Sequence, residues 1–308
     1  NTRVALAQGT ALLPQTIRRF ANAGHESLSE VLGKFLAMEG NVDCAAACVA
    51  VAGPVSDGAG RLTNLDWQID EATLAAAARA ERVAILNDLQ AQGHALGHLS
   101  ENKLPVLLPG PETARPNSTQ LVIGVGTGFN AAPVHHGPHG RLVAPSECGH
   151  ISLPIRTSAD LKLANYVEKA HGFPGVEDVL SGRGLERLHR FLAGEAGRDS
   201  TAGAAEIMAG IAAGDDPLAE ETGRNFVRLL GTVVGDLALV HLPYGGIFLC
   251  GGVARAFAPY ARRFGCAEAY GDKGRFGPFM ASFPIRVIED DYAALIGCAA
   301  YLDSCAPV

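Results

Sequence analysis

Two short apolar runs constrain this chain most: CAAACVAVAG (residues 44–53) and RVAIL (residues 82–86). Neither alternates between apolar and polar residues, so each predicts a strand buried on both faces, as the strands of a parallel sheet are. Parallel strands need long crossovers, usually helical. A helix is predicted just before the first run, over Ser27–Met38, where Leu28, Val31, Leu32, Phe35 and Leu36 fall at helical spacing. Ser27 and Glu30 form a capping-box signature at its start, and Gly40 is a stop. Between the two runs, RLTNLDWQI reads as a strand and Asp70 caps an alanine-rich helix reaching about Arg79. Strands alternating with helices predict an α/β fold.

The pattern continues along the 308 residues. STQLVIGVGTGFNAAPV reads as a strand, a glycine turn and a returning strand. PVHHGPHGRLVAPSECGHISLP is rich in Gly, Pro and His and reads as irregular, with His135, His136 and His139 at a solvated loop tip. Residues 158–240 are mostly helical in pattern. GGIFLCGGVARAFAPY is a strand, glycine turn and helix; FPIRVIE is a late strand; DYAALIGCAAYL is a terminal helix. The length allows one to two domains. The division expected is residues 1–98 with 290–308 as a small α/β domain, and 99–289 as a large one.

A net charge of −7 argues against nucleic-acid or anionic-membrane partners, which need a basic surface. The apolar stretch 226–250 is interrupted by Asp236, His241, Pro243 and Gly245-Gly246, so it does not read as a membrane span. Seven cysteines scattered without regular spacing give neither a disulfide framework nor a zinc pattern, and they point to the cytoplasm. No residues are assigned as metal ligands.

Two glycine clusters end apolar strands: Gly124-Val125-Gly126-Thr127-Gly128 and Gly251-Gly252. Glycine turns let backbone N–H groups approach an anion closely. Neither cluster is a Walker A loop or a clean G-x-G-x-x-G, and each alone is equally a tight turn. Asn87 and Asp88 follow the second buried run, at the carboxyl end where ligands collect in open α/β sheets. Position alone leaves Asp88 open between a helix cap and a general base. Glu147 and His150, in SECGH, could hold a polyol or simply lie on a surface loop. Glu177 could equally be an ordinary charge at a helix end.

In order along nearly the whole chain, TRVAL, VAGPV, LTNLDW, ILND, GVGTG, SECGH, VEDVLSGRGL, FLCGGV and GDKGRF resemble blocks of the bacterial glucokinase family, the hexokinase branch of the actin-like ATPase superfamily. The resemblance implies a two-lobed actin-like ATPase (ribonuclease H-like) fold with a cleft between a small and a large domain. It implies a homodimeric enzyme transferring the γ-phosphoryl group of ATP, with Mg²⁺, to the 6-hydroxyl of glucose. Under it Asp88 is the catalytic base, Asn87 a sugar-bonding neighbour, and Glu147, His150 and Glu177 grip the ring hydroxyls. Gly126, Thr127 and Gly128 form a phosphate loop, and Gly251 and Gly252 the adenosine-side turn. A kinase for another hexose or an amino sugar, and a non-catalytic sugar sensor, are the alternatives.

The family's D-x-G-G-T loop and first strand are expected ahead of Asn1, and a molecule lacking them is expected to be a weak kinase or none. Four further positions depart from the family's pattern: Phe129-Asn130 follows GTG where Leu-Gly is common, and Ser146 and Cys148 stand where glycines are usual in the E-x-G-H segment.

Overall fold

A computed structural model describes residues 1–61, 67–111, 117–138 and 140–305. They fall into two compact units: residues 1–100, 138–145 and 290–308 form the first, and 101–137 with 146–289 the second. The stretch 138–145, expected within the larger domain, groups with the first unit.

The first unit opens with β1 (Thr2–Val4) and β2 (Arg18–Phe20), which pair antiparallel. Helix α1 (Leu28–Met38) follows the sequence pattern: Leu28, Val31, Phe35 and Leu36 are buried, and the Ser27 side chain accepts from Glu30 N. The Glu30 carboxylate accepts from Glu26 N, one residue further out than the sequence signature implies. β3 (Ala46–Val51) is the first apolar run. α2 (Glu71–Ala78) is capped by Asp70, which accepts from Thr73 N at 2.7 Å, and it ends at Arg79 in the left-handed conformation. β4 (Arg82–Asn87) is the second apolar run and pairs parallel with β3 in register from Ala46↔Arg82 to Val51↔Asn87. It passes directly into α3 (Asp88–Ala95). The sequence RLTNLDWQI, read as one strand, has its middle, with most of the LTNLDW block, outside the described residues. Its flanks contribute to the short strands Ala59–Arg61 and Gln68–Asp70, which pair antiparallel.

In the second unit, β5 (Val106–Leu108), β6 (Gln120–Val125) and β7 (Phe129–Gly137) come first. The segment read as irregular is in fact partly strand: His135 and His136 lie on β7, and β8 (Gly140–Val143), in the first unit, follows. The alternation of apolar residues is short there, and Gly and Pro interrupt it. Next come α4 (Ser158–His171), α5 (Gly182–Glu195), α6 (Pro217–His241), β9 (Ile247–Cys250), α7 (Gly252–Phe257) and β10 (Ile285–Val287). Five strands of this unit lie in one sheet in the order β5-β10-β9-β6-β7. β6 is parallel to β9, and β9 to β10, while β6–β7 is an antiparallel hairpin. A continuous apolar core joins this sheet to α5 and α6, with Phe226 stacked on Phe257 at 4.5 Å. The buried Asp160 of α4 accepts from Arg156 N and Thr157 N and pairs with Arg228 of α6. No helix among the described residues is long and apolar enough to cross a membrane.

The chain returns to the first unit with α8 (Ala293–Ser304), which packs on α3 so closely that a Cβ on Gly297 would lie 1.7 Å from Ala91 O. His94 of α3 sits edge-on to Tyr301 of α8 at 4.9 Å. Among its described residues one apolar cluster gathers Leu28, Val31, Trp67 and Leu74, and another Leu86, Ala91 and Cys298. A cavity of about 960 Å³ lies in it, lined by Val4, Leu32, Ala47, Val49 and Cys298 among others. Among the described residues, β1 pairs only with β2 and β3 only with β4.

Candidate active site

In the second unit, adjacent parallel strands β6 and β9 both end in glycine turns. Gly126 N donates to Gly128 O at 2.9 Å, closing the first turn. Gly251 has φ +98°, and a Cβ there would lie 2.4 Å from Val125 O, so only glycine fits against β6. A Cβ on Gly126 would come 3.9 Å from Gly252 N, which places the two turns side by side. Thr127 and Gly252 are exposed.

α5 begins at the same place. Gly182 N donates to Gly126 O at 2.8 Å. The buried Ser181 caps the helix by accepting from Gly184 N at 3.0 Å. The positive end of a 14-residue helix therefore lies against the first glycine turn, adding to its preference for an anion. Sequence reasoning recognised LSGRGL as a block but gave it no task. Its helix-start signature, Ser before a glycine-spaced helix, was the available signal.

The E-x-x-H segment lies beside this turn. Glu147 precedes a one-turn 3₁₀ helix, Cys148–His150. Glu147 and His150 are exposed, while Gly149 is buried with its Cβ position 2.0 Å from Phe129 O. Glu177 N donates to Gly149 O at 2.8 Å. The Glu177 carboxylate accepts from Phe129 N at 2.9 Å, and a Cβ on Gly128 would lie 2.5 Å from its Oε2. Glu177 thus touches both the GTG turn and the E-x-x-H segment, which are brought together with Gly251 and Gly252 in one unit.

Asn87 and Asp88 belong to the first unit, at the carboxyl end of β4 and the start of α3. The choice left open between cap and base divides between the two residues. Asn87 is the cap: its Oδ1 accepts from Gln90 N at 2.6 Å, and its N donates to Gln90 Oε1 at 3.1 Å. Gln90 Nε2 in turn donates to Val143 O at 3.1 Å. Asp88 is exposed at the first helical position, with Oδ1 accepting from Leu89 N at 2.9 Å. A helix amino terminus favours a carboxylate there.

The residues present suit a nucleotide: exposed glycine turns, two strand ends and a helix amino terminus all offer backbone N–H groups. Among the described residues no cluster of three His, Cys, Asp or Glu side chains could hold a metal ion.

Comparison with solved structures gives the class: the fold is that of the actin-like ATPases. A glucokinase from an Antarctic psychrotroph superposes with a TM-score of 0.83 at 31% identity, over 93% of this chain and 88% of that one. A ROK family glucokinase from Streptomyces griseus, solved with glucose and AMPPNP, superposes with a TM-score of 0.64 at 18% identity, over 98% and 96%. The glucokinase of Mesorhizobium japonicum is 33% identical over 94% of this chain and 83% of its own length. The family model described as Glucokinase matches residues 1–305. The chain belongs to the glucokinase family.

Proposed function

We propose that the chain transfers the γ-phosphoryl group of ATP to the 6-hydroxyl of glucose, giving glucose 6-phosphate. The observation that carries this reading is Glu177, which joins an anion-binding glycine turn to a polar E-x-x-H segment. A kinase needs both grips held in fixed relation, because phosphoryl transfer is mostly positioning and charge stabilisation.

Glu147, His150 and Glu177 hold the sugar's ring hydroxyls. Backbone N–H groups of Thr127 and Gly128 face the phosphates, Gly126 shapes the turn by donating its own N–H to Gly128 O, and Gly251 and Gly252 pass close to the adenosine. Asp88 orients the 6-hydroxyl and takes its proton as the oxygen attacks phosphorus. Asn87 caps α3 through Oδ1 and keeps its Nδ2 for a sugar hydroxyl. Magnesium, held on the nucleotide, offsets phosphate charge. The enzyme works in the cytoplasm as a homodimer, supplying glycolysis, without nucleic-acid or membrane partners.

A coupled assay against a panel of hexoses and phosphoryl donors tests this. ATP and glucose should give the highest kcat/KM. A preference of an order of magnitude for another hexose would overturn the sugar assignment. Glucose binding without turnover by any donor would favour the sensor.

A further inference from the structure

Asn130, Ser146 and Cys148 form one hydrogen-bonded cluster. Asn130 Oδ1 accepts from Cys148 N at 3.1 Å and lies 3.0 Å from Ser146 Oγ and 3.5 Å from Cys148 Sγ. It also accepts from Ala131 N at 2.8 Å. The orientation of the amide follows from these partners. Two main-chain N–H groups can only donate, so the atom facing them must be the oxygen. The nitrogen is thereby turned toward acceptors: Nδ2 donates to Ser146 O and to Glu147 Oε2, the latter at 3.3 Å. Ser146 has a single hydroxyl proton and a second acceptor, Ala131 O, at 2.7 Å, so it bridges β7 to the segment whichever one it serves. Burial raises the Cys148 thiol above its ordinary range, which keeps it a proton donor.

We infer that Asn130 is a positioning residue for the sugar site: it commits one carboxylate oxygen of Glu147 to itself and presents the other to a sugar hydroxyl. The inference rests on the reading of Glu147 as a sugar ligand. Glycine at position 130 could make none of the side-chain bonds. With Asn130 in place, Ser146 and Cys148 gain an acceptor at the distances where they stand. Together the three side chains brace the segment against β7. Asn130 lies two residues after Gly128 and follows Phe129, whose N–H binds Glu177, so one strand end fixes carboxylates on both sides of the sugar.

The test is glucose affinity by titration calorimetry, with kinetics alongside. Asn130→Ala removes the donor to Glu147, and a hydrogen bond to a charged group is worth enough that glucose Kd should rise roughly tenfold. KM for ATP should stay within about twofold, since the glycine turns are untouched. Asn130→Asp keeps the shape and places a second carboxylate beside Glu147. Two carboxylates this close share a proton. At pH 8 glucose binding should weaken by roughly a hundredfold, and on acidification the Asp O–H should replace the lost donor. The ratio of variant to wild-type Kd should therefore fall by about an order of magnitude between pH 8 and 5.5. His150, Glu177 and Cys148 stand around the segment in both proteins, so the variant is compared with wild type at each pH.

A merely structural Asn130 would lower thermal stability and move glucose and ATP affinities together, with no pH-dependent ratio. That result overturns the inference, as does an Asn130→Ala protein that binds glucose within twofold of wild type. Should Asn130→Ala fail to fold, the near-isosteric Asn130→Asp carries the test through its pH ratio. Glu147→Ala separates the two readings. If it leaves glucose Kd unchanged, the sugar reading of Glu147 fails. If it weakens binding while Asn130→Ala does not, only the positioning inference fails.

Discussion

The two units hold their proposed site residues in different ways. The second has one continuous core and contributes five strands to a single sheet. Its glycine turns, the E-x-x-H segment and Glu177 brace each other at close contact. The first, among its described residues, has separate apolar clusters around a cavity of about 960 Å³, and small sheets of two or three strands. Asp88 is positioned there by local bonds: the Asn87–Gln90 capping box, the tie from Gln90 to Val143, and the tight α3–α8 contact. A carboxylate that must take one proton needs correct placement on a helix end. A sugar with several hydroxyls needs several groups held at once, and that takes a closed core behind them.

Five substitutions and one exchange measurement test this contrast, the substitutions ordered from the largest expected change in stability. Gly149→Ala puts a methyl group 2.0 Å from Phe129 O, where backbone must move. It should cost about 3 kcal/mol or more and abolish measurable glucose binding, as read by denaturant unfolding and calorimetry. A tolerated Gly149→Ala would show that the brace is looser than its geometry.

His94 of α3 should make the first unit sensitive to acid. Burial, helped by the charge of Arg141, lowers His94 to about 4 from an ordinary value of 6.5. The folded state therefore binds fewer protons than the unfolded state between these values. Stability is full above pH 6.5 and falls as pH drops toward 4, by at most about 3 kcal/mol from this group. Thermal melts of His94→Phe should lose that part of the pH dependence, and an unchanged profile would refute it.

Alanines should respond oppositely in the two cores. Ala132, fully buried in β7, has no room, and Ala132→Val should cost about 1–3 kcal/mol. Ala47 lines the cavity, so Ala47→Val should be neutral or stabilising by up to about 1 kcal/mol. Equal costs would mean that the cavity is closed in solution. Hydrogen exchange gives the same contrast without mutation, with β3 amides exchanging ahead of those of β6. Smallest of all, Gly252→Ala meets nothing within 4 Å and should change stability by less than about 0.5 kcal/mol, whereas its neighbour Gly251 has no such tolerance.

Much of this architecture was legible in the sequence because the signals were local. The runs 44–53 and 82–86 are β3 and β4, paired parallel as buried runs should be. Ser27 and Asp70 cap the helices they precede. The GTG hairpin and the late strand–turn–helix follow from apolar runs broken by glycine. What was not legible depends on contacts between distant segments. β8 is too short, and too close to Gly and Pro, to announce itself. Asn130 reads as an oddity after GTG, and its purpose emerges only when residues 146–148 fold beside it. The division between Asn87 as cap and Asp88 as the exposed carboxylate needed Gln90, three residues on, as the capping partner.

The central claim is that one carboxylate moves the proton while a separate set of groups holds the sugar. The direct measurement is Asp88→Asn, with kcat from a coupled assay and glucose Kd from calorimetry on the same preparation. The account predicts that kcat falls by roughly 10²–10⁴-fold while glucose Kd stays within about threefold. A kcat within an order of magnitude of wild type would contradict it.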